Sequence, residues 1–141
     1  MMIRFSTIAL FAMLSLQLHA SPSEVTFASA TMNVTESRYE FANLETVELA
    51  LFFEDSVPTS MILIIGDDAT RLNVVDTKTT DGVVSYQANL LDNNPNGKRL
   101  SVFLQETTTD GKRSWSASIR KGFGWCGTMD STMELTGTPD F

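Results

Sequence analysis

The chain is poor in the two side chains that most often carry catalysis and metal binding. It has one histidine, His19, and one cysteine, Cys126, in 141 residues. His19 falls in the first twenty residues, which read as a removable leader. Beyond that leader no imidazole remains, which excludes Ser-His-Asp and Cys-His catalysis and histidine-ligated zinc. A single cysteine cannot form an intrachain disulfide or a thiolate cluster. Trp125-Cys126-Gly127-Thr128 lacks the second cysteine that disulfide exchange requires, so Cys126 reads as a buried free thiol. Basic residues are also in deficit, 10 against 17 acidic ones, for a net charge of −7. General binding to nucleic acid or to an anionic membrane needs the opposite balance. The sequence therefore predicts a protein with no catalytic residues, no cofactor, no metal and no nucleic-acid partner.

Long apolar runs are missing too. The longest, Ile8–Leu18, is too short to span a bilayer. It follows the basic Arg4 and precedes His19-Ala20-Ser21-Pro22, an arrangement that predicts a secretory signal peptide over residues 1–20 with cleavage after Ala20. The expected location is the periplasm or the extracellular space, with no membrane insertion after processing. The expected mature domain, residues 21–141, carries a net charge of −8. At this size a domain without a disulfide must be held by its core.

No segment sustains a period of 3.6. Alternation with period two recurs instead. Val47, Leu49, Leu51 and Phe53 share a face opposite Thr46 and Glu48. Tyr86, Ala88 and Leu90 alternate with polar residues, as do Leu100, Val102 and Leu104, then Trp115, Ala117 and Ile119, then Met129, Met133 and Leu135. Met61–Ile65 is continuously apolar, as in a strand covered on both faces. Weaker strands are expected near Val25–Val34 and Arg38–Ala42. The fold expectation is a single all-β antiparallel domain of about eight strands. A β-sandwich is preferred to a closed up-and-down barrel. Large inward positions (Phe53, Tyr86, Trp115, Met129, Met133) point to a filled core.

A repeat lies inside this pattern. Arg71-Leu72-Asn73-Val74 leads to Thr79-Thr80-Asp81-Gly82 and then Ser85–Leu90. Arg99-Leu100-Ser101-Val102 leads to Thr108-Thr109-Asp110-Gly111 and then Ser114–Ile119. Each copy reads as a hairpin with an Asp-Gly turn, and together they form a four-stranded meander. If both turns lie at one end, Gly66–Thr70, Asp92–Lys98 and Lys121–Gly127 share the other. Loops at one end of a β scaffold are the usual place for function. The candidate partner-binding residues are therefore Asp67, Asp68, Lys98, Arg99, Arg120, Lys121, Phe123 and Trp125.

Two motifs in these loops read as turns. Gly122–Gly127 spells G-x-G-x-x-G but lacks the strand–helix context that dinucleotide binding needs. Asp92–Gly97 matches the opening of a calcium loop, yet offers one carboxylate and has Phe103 in the twelfth position. The charge is also localised. Residues 21–70 hold nine acidic side chains and one basic one, whereas residues 71–141 are balanced at eight of each. An acidic surface attracts a basic partner. The leading expectation is a non-catalytic domain that binds a basic protein, such as a cationic hydrolase or toxin that it would inhibit. The alternative is a barrel or sandwich that binds a small ligand or a cell-wall carbohydrate, with Phe123 and Trp125 as a stacking platform. Self-association would use an exposed strand edge.

Overall fold

Three tight turns set the strand directions. Asp55-Ser56, Asp81-Gly82 and Asp110-Gly111 each place two successive residues at positive φ, between 51° and 77°. That backbone twist matches the twist of the strands a two-residue hairpin joins. In the computed structural model, which describes residues 24–90, 98–123 and 130–140, these turns link strands in simple succession. The strands are β1 (Val25–Ser37), β2 (Thr46–Glu54), β3 (Val57–Ile65), β4 (Asp68–Thr80), β5 (Val83–Leu90), β6 (Lys98–Thr109), β7 (Lys112–Phe123) and β8 (Ser131–Gly137). Every strand pairs antiparallel with its sequence neighbours, and β1 pairs with β8, so the sheet closes on itself.

The all-β, eight-stranded, antiparallel expectation holds, and of the two architectures the molecule is the barrel. The β1–β8 ladder is what excludes two separate sheets. It runs Asn33↔Thr136, Val34↔Leu135, Glu36↔Glu134 and Ser37↔Met133. The bulged residue, Thr35, gives its hydroxyl to the Glu134 carbonyl at 3.2 Å. Beyond β8 the chain keeps following β1. Ser29 and Asp140 exchange two backbone hydrogen bonds, of 3.1 and 2.7 Å. Gly137 permits this approach, because a Cβ there would lie 2.6 Å from Met32 Sδ and 3.0 Å from the Thr31 carbonyl. The edge that self-association would have used is thus taken up within the molecule.

Alternation along each strand sorts side chains into an inner and an outer set. Met32, Leu49, Leu51, Met61, Leu63, Leu72, Leu104, Ile119, Met133 and Leu135 fill the interior together with Trp115. The turn end is sealed by aromatic rings. Phe53 meets Tyr86 edge-on at 6.4 Å, and the buried Trp115 donates its indole N–H to Glu106 Oε1 at 3.0 Å. Met61, Leu63 and Ile65 point inward, whereas Ile62 and Ile64 lie on the outer wall with Ala50 and Phe52.

Both copies of the repeat are hairpins, β4–β5 and β6–β7, as expected. Leu72 stands one residue closer to its Asp-Gly turn than Leu100 does to its own. An offset of one should turn Leu72 outward. A β-bulge between Val74 and Asp76 restores the phase, and both leucines are buried. The expected strand at Arg38–Ala42 is not one. Tyr39–Phe41 form a single 3-10 turn, entered through Tyr39 at φ 57°. Phe41 drives this departure by burying its ring in the core.

Two outcomes test this interior. Trp115→Ala should lower unfolding free energy by about 3–5 kcal/mol in urea, the usual loss for a buried large aromatic. The second concerns alkaline pH. Burial pushes the Tyr86 phenol above its ordinary 10.0, the Glu106 carboxylate adds to this, and Arg113 opposes it. The folded state then holds the phenolic proton more tightly than the unfolded chain does. Stability should fall as pH rises above about 10. Tyr86→Phe should flatten that decline in urea midpoints measured between pH 9 and 11.

Candidate functional site

An up-and-down barrel with an even number of strands divides its connections between two ends. The three two-residue turns above occupy one. The β3–β4 turn at Gly66-Asp67 and the 38–45 connection occupy the other, where β5 and β7 also end and β6 and β8 begin. This is the segregation that the meander implied. At the second end the described residues line a mouth cavity of about 550 Å³.

Strands β3 to β7 contribute residues near their connections at this end. Leu63 and Ile65 come from β3, Thr70 from β4, Leu90 from β5, Leu100 from β6 and Lys121 from β7. The 38–45 connection bends over the opening and adds Glu40, Phe41 and Leu44. Its position is fixed by backbone bonds. Arg38 N–H donates to the Thr132 carbonyl at 2.9 Å, Val34 N–H to the Glu45 carbonyl at 2.8 Å, and Glu40 N–H to Ser131 Oγ at 3.1 Å. The walls are therefore aliphatic, with one aromatic ring, and the polar groups stand at the rim.

The rim chemistry is dominated by one ion pair. Lys121 Nζ lies 2.7 Å from Glu40 Oε1. The lysine side chain is 19% exposed and the glutamate side chain 48% exposed, so the ammonium is the more enclosed partner. A lysine on the inner face of a barrel has its carbon stem in apolar surroundings and its charge at the opening. Asp68 also lines the cavity and is exposed.

The expected partner-binding residues that the structure describes point in different directions. Asp67 and Asp68 stand exposed at the β3–β4 turn. Lys121 faces the cavity, whereas its neighbour Arg120 faces outward, as strand alternation requires. Arg120 Nε lies 3.8 Å from Asp130 Oδ2. On the same outer side, Gly122 leaves the space that the Asp130 carboxylate occupies, with the Arg99 guanidinium beside it. The structure thus separates Lys121 and Asp68 at the mouth from Arg99, Arg120 and Asp130 on the outer rim. Lys98 begins β6 and Phe123 ends β7. Their side chains, and all of Trp125, Cys126 and the Asp92–Gly97 loop, lie outside what the structure describes.

Sequence reasoning missed Glu40, Phe41 and Leu44, because 38–42 reads as a weak strand. It missed Asp130, which has no motif around it. The usable signal was Phe41, a large apolar residue in an otherwise polar connection. Among the described residues no group of three histidine, cysteine or carboxylate side chains is placed to hold a metal ion. Compared with protein-family models, curated proteins and solved structures, the chain matches none of them.

The ion pair gives an asymmetric prediction. Glu40→Ala leaves an enclosed ammonium without its counter-charge, whereas Lys121→Met removes the charge and keeps the stem. Removing one partner of a partly buried pair costs more than replacing the enclosed charge with an apolar group. Urea unfolding should show Glu40→Ala lowering stability by about 1–2 kcal/mol. Lys121→Met should stay within about 0.5 kcal/mol of the parent.

Proposed function

We propose that this protein is a non-catalytic binding barrel whose mouth takes a small ligand with an apolar body and one polar head. The mouth cavity carries this reading. Its volume lies within the about 300–1,000 Å³ typical of small-molecule sites, and barrel mouths are a recurrent place for them. Leu63, Ile65, Leu90 and Leu100 supply the apolar surface for the ligand body. Lys121 and Glu40 supply one donor and one acceptor at the rim, so a ligand head can exchange with either half of the pair. The filled interior below limits how deep the ligand goes. A signal peptide over residues 1–20 would place this binding in the periplasm or outside the cell.

A protein partner is the second reading, favoured by the exposed Asp67 and Asp68 at the β3–β4 turn beside the opening. A basic protein presenting an apolar side chain to the cavity would use the acidic pair and the mouth together. Inhibition of a cationic hydrolase or toxin belongs to this reading. Its electrostatic part weakens with salt, which uptake of a small apolar molecule does not.

Native mass spectrometry with octanoate and octylamine separates these readings. Thr70 faces the cavity and is half-buried, so Thr70→Trp should fill the opening while leaving the barrel folded. The purified protein should hold one equivalent of at least one amphiphile, and Thr70→Trp should hold neither. Uptake of neither by the parent protein, or equal uptake by Thr70→Trp, would overturn the small-ligand reading.

A further inference from the structure

The outer wall of the barrel carries a second concavity, independent of the mouth. On β7 the outward residues Ser116 and Ser118 end two bonds from the backbone and form a floor. β6 raises Phe103 and Gln105 along one side, and β8 raises Glu134 along the other. The register fixes the cross-section, because Ser118 lies between Phe103 and Glu134, and Ser116 lies between Gln105 and Thr136. Two strand spacings, about 10 Å, separate the walls at backbone level. The resulting trough has a volume of about 510 Å³.

Its chemistry is unusual for a solvated strand face. Phe103 is 47% exposed, and the one other apolar residue lining the trough, Ala117, is buried in the core cluster rather than packed beside it on the outer face. Around it stand hydroxyls and amides: Ser101, Ser116, Ser118, Gln87 and Gln105. The two charged groups are both engaged. Ser118 Oγ donates to the Glu134 carboxylate, and Arg120 pairs with Asp130. Glu134 and Arg120, the two charged side chains that line the trough, are of opposite sign and offset each other, so a charged ligand would gain little complementary field there. Barrel closure also pairs the backbone of β6, β7 and β8 on both sides. An added peptide strand finds no ladder to join, so recognition at this wall is by side chains alone.

We propose that the trough along β7 binds a neutral, linear oligosaccharide. Sugar rings present apolar C–H faces and equatorial hydroxyls at once. Phe103 offers a flat ring for the former. The serine hydroxyls and glutamine amides, which both donate and accept, serve the latter. One ring fits between the walls, and the lining extends along β7 from Ser116 to Arg120, which suits a chain of rings rather than a single sugar.

The test is a titration of the purified protein with chitotetraose, cellotetraose and maltotetraose, followed by amide chemical shifts. At least one of the three should give saturable shifts centred on residues 101–105, 114–118 and 132–136. Phe103→Ala should weaken that binding by about tenfold or more, the equivalent of one lost stacking contact. Phe103→Trp should retain it. Phe103 is half-exposed, so both variants should fold, and their unbound spectra verify this. Absence of saturable shifts with all three sugars would overturn the proposal. So would shifts confined to the mouth residues Leu63, Leu90 and Leu100, or equal affinity in Phe103→Ala.

Discussion

The pairing of β1 with β8 is the constraint on which the rest of this structure depends. The other ladders join strands that follow one another in the chain, and a hairpin turn or short connection brings each together. Closure alone joins the first strand to the last. It must overcome the loop entropy of nearly the whole domain, and it does so late in sequence separation, where β topologies are slow to form. The seam shows how that approach is made. Gly137 gives up a side chain so that β8 can lie against Met32 and Thr31. Thr35 absorbs a bulge and satisfies Glu134 with its own hydroxyl. Asp140 extends the seam to Ser29.

Closure then gives each residue an inside or an outside, and function follows from what each end does with the inside. At the turn end the interior tapers onto Trp115, Tyr86 and Phe53, and Glu106 satisfies the one indole donor buried there. At the mouth end the filling is aliphatic and shorter, and the 38–45 connection covers only part of it. The same alternation that puts Lys121 at the opening puts Arg120 on the outer wall. A cluster of charges that is contiguous in sequence is therefore divided between two ion pairs: Lys121 with Glu40 at the rim of an apolar cavity, and Arg120 with Asp130 on the outer surface beside Gly122.

Much of this was legible from local pattern. Val47-Leu49-Leu51-Phe53 and Trp115-Ala117-Ile119 announce their faces because burial on one side of a strand repeats every second residue. The Asp-Gly turns announce their hairpins because glycine accepts positive φ. The turn at Asp55-Ser56 has the same geometry without a glycine, so nothing local marks it. Closure was not legible, since whether β1 meets β8 or a second sheet is decided by long-range register. The candidate site was only half visible. Lys121 could be seen as a charge near a loop, but its inward direction requires the register. Glu40 and Phe41 belong to a segment whose apolar residue resembles a weak strand and instead anchors a turn over the cavity.

Amide hydrogen exchange, resolved residue by residue, tests the closed barrel most directly. In a closed barrel the amides of Asn33 to Ser37 and of Met133 to Thr136 that bond across the β1–β8 ladder belong to central strands. They should exchange as slowly as those of Val102 to Leu104 in β6, through opening of the whole domain. In an open sheet or a two-sheet sandwich those amides lie on edges. Exchange there at rates close to those of the Asp81-Gly82 turn would contradict closure, and with it the mouth cavity that depends on it.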